Sequence, residues 1–379
     1  MNQPAGRGLR AALTGLRTST RHPTGDTRAM PLLGDEGDVS SFDDHLLPRQ
    51  VEGLVWSVLD APRAAELAAL VSRIETADGT PVRTSAEEVE SYFAEREGFR
   101  AVAGDDGDGV MRAFGLVRPK GQVEGMQSFT CSGGVDDALR LKGAGFALVD
   151  WQVSTSRALL ASSGAEQGVV VVHVDETETD LRALLEEHGF RPRRWYVQMR
   201  RSLALDIPGI ALPQYVSVEP WTADLAEQVR RAHGRAFADQ PEGAMERGSD
   251  LWGPEATAFE PRWSFVALDR SSDRAKIAGY IVSSRYEQDW EALGWTEGYT
   301  EVLGVLSEWR GKHVGSALLS AAMRAYAADG MEYAGLDVDV DFALDVDHPE
   351  PHSMMALYTS LDYVPTSRSA LHVLELGAP

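Results

Sequence analysis

The chain has 379 residues, 43% of them hydrophobic and 25% charged, the balance of a water-soluble folded protein with length for two buried cores. Its 36 basic residues against 58 acidic ones leave a net charge of −22, a field that repels nucleic-acid phosphates and concentrates cationic partners, amines among them. No run approaches the ~18 consecutive apolar residues of a membrane span, and one cysteine, Cys131, excludes a disulfide within the chain and fits a reducing, cytoplasmic setting.

Residues 1–45 differ from the rest. "MNQPAGRGLRAALTGLRTSTRHPTGDTRAM" holds five arginines and one aspartate. It lacks the apolar core of a secretory signal, bears a slight likeness to an organellar transit peptide, and reads as a disordered tail. Next, "EGLVWSVL" is strand-like and "APRAAELAALVSRIE" has helical apolar spacing. "RAVAGD" and "VMRAFGLVRP" form a hairpin around the glycine-rich "DDGDGV" turn. After "LRLKGAGFALVDW" come a buried strand, "GVVVVHVDE", an amphipathic helix, "TDLRALLEEHGF", and a strand, "WYVQMRRSLAL". The proline-marked stretch 206–214 reads as a linker.

The order then repeats. "YVSVEPW" is a strand, "TADLAEQVRRAHGRAF" a helix, and "WSFVALD" with "KIAGYIVSSRYE" a second hairpin. "YTEVLGVL" leads into "SEWRGKHVGSALLSAAM". "AGLDVDVD", "HSMMALYTSLDY" and "ALHVLEL" close the chain as strand, helix and strand. "RLKGAG" begins 170 residues before "RGKHVG" (Arg140 and Arg310), and "ALLEEHGF" begins 173 before "ALYTSLDY" (Ala183 and Ala356). Two offsets that agree within three residues indicate a tandem duplication: domains at 46–205 and 215–379 joined by 206–214.

The turn from Arg310 to Gly315 runs into the helix "GSALLSAAMRAYAADG". A helix N-terminus presents unpaired backbone N–H groups and partial positive charge, which suits a phosphate. Arg310 and Lys312 form a basic island in an acidic chain. Tight packing of the turn accounts for the glycines equally well.

In its context, after "EVLGVL" and before "ALYTSLDY", the turn resembles the pyrophosphate loop of the GNAT superfamily of N-acetyltransferases. The resemblance covers about 215–376 and, more loosely, the first half. It implies an α/β fold of two tandem GNAT-like domains, each a mixed, mostly antiparallel central sheet flanked by helices. It also implies acetyl-CoA as co-substrate, held by Arg310, Gly311, Lys312, His313, Val314, Gly315 and Ser316. His313 stands where the family commonly has glycine. The loop works through backbone N–H groups, which histidine supplies, at ~1 kcal/mol of strain if φ is positive. Leu303, Gly304 and Val305 would lie on a strand that splays from its neighbour and binds the pantetheine arm and thioester oxygen.

Tyr358 matches the family's proton donor to the departing thiolate, although a tyrosine sharing a helical face with Met354 and Leu361 also reads as core. For the base that takes a proton from an amine, a period of two puts Glu301 on the face of Leu303 and Val305. Glu297, Asp337 and Asp339 compete with it, and all four can be plain surface carboxylates. The acidic stretch 337–351 is either solvated surface or a wall that favours a cationic amine. No metal is expected, because Pro349 and Pro351 break helical presentation of His348 and His352. Trp290 and Trp295 either wall the acceptor or pack a loop. Asp362 replaces a family glycine. In the first half Gly143 faces His313, but Leu185 stands opposite Tyr358, so catalysis is expected in the second half alone. The expected reaction is acetyl transfer to a primary amine of a small molecule or peptide in a ternary complex. The competing reading is an acyl-CoA-binding protein without turnover.

Overall fold

The computed structural model describes residues 47–93, 98–123, 126–140, 142–237, 258–340 and 354–377. The first half contains β1 (Val55–Val58), α1 (Ala64–Asp78), α2 (Ala86–Ser91), β2 (Arg100–Asp105), β3 (Met111–Val123) and β4 (Met126–Val135). It continues through α3 (Ala144–Ser163), β5 (Gln167–Asp175), α4 (Thr179–Glu187) and β6 (Arg191–Ser202). The second half repeats the plan with β7 (Val216–Pro220), α5 (Ala226–Ala236), β8 (Phe265–Asp269), β9 (Lys276–Ser284), α6 (Glu287–Leu293) and β10 (Glu297–Val305). There follow α7 (Val314–Ala328), β11 (Tyr333–Val340), α8 (Met354–Thr359) and β12 (Val364–Leu376). The tail expected at 1–45, most of the acidic stretch, including Asp345, Asp347 and His348, and His352 beyond it lie outside the described residues.

Local chemistry sets the elements. Leu67, Leu70, Val71 and Ile74 give α1 a buried stripe, and Gly79 ends it in the left-handed region at φ 61°, the usual glycine stop. Ser85 and Glu88 cap α2 reciprocally, satisfying two of its orphan N–H donors. The sequence reading lacks β4 as a strand, because "SFTCSGG" is rich in small polar residues; its ladder with β3 forms all the same.

All twelve strands join one sheet in the order β1-β2-β3-β4-β5-β12-β6-β11-β10-β9-β8-β7. The expected mixed, mostly antiparallel architecture is present: β4–β5 and β10–β11 are parallel. The last strand of each half is exchanged. β12 pairs with β5 from Ser369↔Asp175 to Leu376↔Gly168. β6 pairs with β11 from Tyr333↔Ser202 to Val340↔Trp195. β6 and β12 then pair with each other across the local two-fold. The linker at 206–214 thus follows a strand that lies on the second half's side of the sheet. Apolar layers cover both faces of each half. In the second, Leu303 packs with Val314, Leu318 and Ala322 of α7, and Val302 with Val229 and Ala232 of α5.

The exchange places His372 opposite Val172, the position that Met199 occupies opposite Leu336. His372 is buried, and burial lowers its imidazole pKa below the ordinary value despite opposition from the Ala370 carbonyl. The folded state therefore resists a proton that the unfolded chain accepts below about 6.5. This group's contribution to stability is complete above that pH and declines as pH falls toward the depressed folded value. His372→Met, which copies the matching position, should flatten the stability–pH curve below about pH 6.5 relative to the parent. Denaturant melts at several pH values measure it; parallel curves for the two proteins contradict the assignment.

Candidate active site

The loop at the head of α7 and its counterpart before α3 have similar backbone dihedrals at two matched positions. A 3-10 turn, Ser307–Trp309, precedes extended Arg310 (φ −65°, ψ 145°), and His313 adopts φ 61°, ψ 10° before α7. In the first half the turn Asp137–Leu139 precedes extended Arg140 (φ −61°, ψ 153°), and Gly143 adopts φ 86° before α3. His313 is therefore left-handed and carries ~1 kcal/mol of strain that a glycine lacks. Asp362 repeats the pattern: its φ is 62°, and Gly189 in the first half has φ 88°. The side chain of His313 does not cap α7. By helix geometry the N–H groups of Val314, Gly315 and Ser316 have no intrahelical acceptor, and Ala317 N–H is the first to bond back, to the His313 carbonyl at 3.0 Å. A Cβ on Gly315 would stand 3.5 Å from Leu357 and 3.6 Å from Leu303 and Val305. The helix end, β10 and α8 meet there.

The two basic side chains of the loop have partners within the second half. Arg310 donates through Nε to the Val305 carbonyl at 3.2 Å and through Nη2 to the Ala236 carbonyl at 2.8 Å. Arg140 likewise donates through Nε to Val135, at 3.3 Å. Arg310 is a clamp that ties the loop to β10 and α5. Lys312 places Nζ 4.8 Å from the centre of the Trp309 ring, a cation–π contact at an exposed site.

β10 and β11 part where the sequence resemblance implied. Their parallel pairing runs from Glu297↔Tyr333 to Thr300↔Leu336 and ends, although β10 continues to Val305 and β11 to Val340. One edge of Leu303, Gly304 and Val305 is thereby released from the ladder. Gly304 has to be glycine, since a Cβ would lie 2.3 Å from the Tyr280 ring.

The face assigned to Glu301 requires a correction. The β10–β9 register passes from Thr300↔Ser283 to Val302↔Val282, so Glu301 is the extra residue of a β-bulge. Thr300 bonds Tyr326 of α7 and Leu303 packs on α7, while Val302 packs on α5. Alternation across the bulge turns Glu301 away from Leu303 and Val305, to the side of Tyr299 and Val302. A period of two cannot register an inserted residue. Glu301 is buried and accepts a 2.7 Å hydrogen bond from the Tyr286 hydroxyl. The Tyr286 ring meets Tyr299 edge-on at 6.0 Å.

The competing carboxylates are committed elsewhere or fully enclosed. Glu297 accepts from Arg200 Nε at 2.8 Å, and Asp339 is bridged by Arg194. Both arginines come from β6, so the first half neutralises charges of the second. Asp337 is buried on β11, two residues before Asp339. None of the four is a plain surface carboxylate. The two tryptophans pack arginines: Arg285 lies 5.1 Å from the Trp290 ring and Arg200 4.3 Å from that of Trp295.

Tyr358 sits in α8, fully buried with Met355 and Leu361. Its hydroxyl has no hydrogen-bond partner among the described residues. Burial pushes the phenol well above its ordinary pKa, so it stays protonated at neutral pH. The first half offers neither group: Leu185 is buried at the matching place, and β4 pairs through Cys131↔Val117 and Ser132↔Leu116 with no residue inserted between them. Cys131 is buried, 3.9 Å from Ser156 Oγ, and burial drives its thiol up to about 12, consistent with an inert core thiol. Among the described residues no group of His, Cys, Asp and Glu is arranged to hold a metal ion, and no helix is long and apolar enough to cross a membrane.

A splayed parallel strand pair facing an uncapped helix N-terminus, built twice in one chain, is the architecture of a tandem GNAT protein, and the comparisons support an N-acetyltransferase. Residues 227–345 match the Acetyltransferase (GNAT) family. A mycothiol acetyltransferase of Kocuria rhizophila is 28% identical over 80% of this chain and 93% of its own length. One from Clavibacter sepedonicus is 32% identical over 55% of this chain and 63% of its own. Among solved structures, a GCN5-related N-acetyltransferase from Sphaerobacter thermophilus superposes with a TM-score of 0.65 at 23% identity, covering 86% of this chain and 96% of that one. A tandem GNAT protein from the clavulanic acid biosynthesis pathway gives 0.60 at 15% identity, covering 86% and 99%; both likenesses bear on the fold.

Proposed function

We propose that the second half transfers an acetyl group from acetyl-CoA to the primary amine of a small molecule by direct attack in a ternary complex. The observation that carries this is that the second half alone has all four of these: the uncapped α7 terminus, the open edge of β10, a bulged carboxylate, and a buried phenol without a partner among the described residues. Acetyl-CoA supplies an activated acyl thioester. The N–H groups of Gly311 to Ser316 suit its pyrophosphate, with Lys312 as nearby positive charge. The released edge of Leu303, Gly304 and Val305 offers backbone donors to the pantetheine arm and to charge developing on the carbonyl oxygen. Glu301 accepts the amine proton, directly or through one water, held on one oxygen by Tyr286. Tyr358 donates its proton to the departing thiolate. The relatives' name makes mycothiol lacking its acetyl group the first acceptor to assay. A peptide amine and a cationic polyamine are the alternatives that the acidic surface favours.

Gly315→Asp and Gly145→Asp test the assignment of halves. A carboxylate at 315 would sit beside Leu303, Val305 and Leu357 and put negative charge at the helix end that suits the pyrophosphate, so acetyl-CoA affinity should fall by about tenfold or more and turnover with it, provided the variant melts like the parent. Gly145→Asp should leave turnover within about twofold, provided the variant melts like the parent. A folded but inactive Gly145→Asp protein places the chemistry in the first half. Acetyl-CoA binding with no release of thiol for any amine favours a binding protein without turnover.

A further inference from the structure

The bulge that displays Glu301 has an anchor beneath it. Tyr326, on α7, is fully buried. Its hydroxyl lies 2.7 Å from Ser283 Oγ and 3.0 Å from Thr300 Oγ1. Ser283 and Thr300 are the cross-strand pair next to the bulge, on β9 and β10. One phenol thus ties both strands together where Glu301 is inserted. Ser283 also donates to the Trp263 carbonyl at 2.9 Å, so it is free to accept from Tyr326. The ring reaches this depth because residue 298 is glycine: a Cβ there would lie 2.4 Å from Tyr326 Cγ.

The first half supplies the control. Ser156 precedes Tyr326 by the same 170 residues that separate Arg140 from Arg310. It touches Cys131 of β4, as Tyr326 touches Thr300 of β10. Phe129, fully buried, fills the space above, where the second half has Gly298 and the tyrosine ring. With a short hydroxyl there, β4 pairs in continuous register with β3 from Phe129 to Val135, and the ladder's one shift, between Pro119 and Gln122, puts its extra residue on β3. The glycine over a bulky tyrosine and a residue inserted in the strand beside it occur together on β10, and β4 has neither at the matching place.

We propose that Tyr326 is a positioning residue for acetyl transfer: it pins Thr300 to Ser283 so that the inserted Glu301 is held on the acceptor side of β10. The proposal rests on the reading of Glu301 as proton acceptor. A ladder without that pin relaxes its bulge by sliding the insertion along the strand, and a displacement of about 1 Å costs on the order of 10²-fold in rate.

The test uses the full chain with acetyl-CoA and the amine giving the fastest thiol release in a panel headed by mycothiol lacking its acetyl group. Tyr326→Phe, Glu301→Gln, their double variant and Thr300→Val are compared, each checked by melting. Glu301→Gln should lower kcat by about 100-fold, and Tyr326→Phe by about tenfold or more with the acetyl-CoA KM unchanged. The double variant should be no slower than Glu301→Gln alone, because the anchor acts only through that carboxylate. Thr300→Val, which cuts one bond without altering α7, should show the same kcat loss in smaller measure, and it decides the matter if Tyr326→Phe does not fold. Equal factors lost to Tyr326→Phe with Glu301 and with Gln at 301 would show a merely structural tyrosine and overturn the proposal. So would a wild-type kcat in a folded Tyr326→Phe protein, or in Thr300→Val where it stands in. An unchanged kcat in Glu301→Gln sinks the base assignment and the proposal together, which separates that failure from the other two.

Discussion

Replacing Tyr358 with phenylalanine is expected to lower kcat by about 10²- to 10³-fold while acetyl-CoA affinity stays within about twofold. The substitution removes one oxygen and keeps the ring that packs edge-on against Tyr363 at 5.9 Å. In the folded protein that oxygen is buried without a partner among the described residues, an arrangement that costs about 1–3 kcal/mol relative to a satisfied hydroxyl. Phenylalanine escapes the cost, so the variant should melt at the same temperature as the parent or above it. Rate and stability would move in opposite directions, which a tyrosine kept for packing cannot produce. Because burial holds the phenol above its ordinary pKa, the donor form persists through neutral pH, and no alkaline fall in rate near pH 8 should trace to this group. Steady-state kinetics, calorimetry of acetyl-CoA binding and a thermal melt decide it. A parent-like kcat returns Tyr358 to the core.

How much of the structure is legible in the sequence depends on how local each signal is. The duplication and the α7 loop are runs of neighbouring residues, so spacing alone exposed them, down to matched dihedrals at Arg140 and Arg310. Leu185 opposite Tyr358 was legible for the same reason. Glu301 was found as a residue and misplaced as a direction, because one inserted residue inverts a period-two reading without altering composition. Arg310 was assigned by charge, and its carbonyl partners on Val305 and Ala236 come from two elements far apart in sequence. Tyr286 and Tyr326 were passed over: each acts across the sheet or from a helix through a single hydroxyl. The one available hint was Gly298 paired with a bulky Tyr326, against Phe129 with Ser156. The exchange of β6 and β12 leaves no local trace at all, since a final strand has the same pattern whichever neighbour it joins.

That exchange leads to the prediction with the largest effect. Residues 206–379, which hold Glu301, Tyr358 and the whole α7 loop, should not fold alone. Without the first half, β11 loses the strand paired to it from Tyr333 to Val340, and β12 loses both neighbours, β6 and β5. The apolar layer under α7 loses Val197 and Met199 of β6, each worth about 2 kcal/mol of burial. Glu297 and Asp339 lose Arg200 and Arg194, and a buried carboxylate stripped of its partner costs about 3–5 kcal/mol. Together these approach the whole stability of an ordinary domain, about 5–15 kcal/mol. The same geometry predicts recovery. Residues 47–205 end in β6 and 206–379 end in β12, so each fragment carries the strand the other needs. Produced together, the fragments should assemble into one complex that releases thiol from acetyl-CoA, while either alone shows no cooperative melt and no activity. Size-exclusion chromatography, circular dichroism and the thiol assay on the separate and mixed fragments measure this. Full activity and a sharp melt from 206–379 by itself would mean that the exchanged strand is dispensable and that the first half contributes nothing to the active fold.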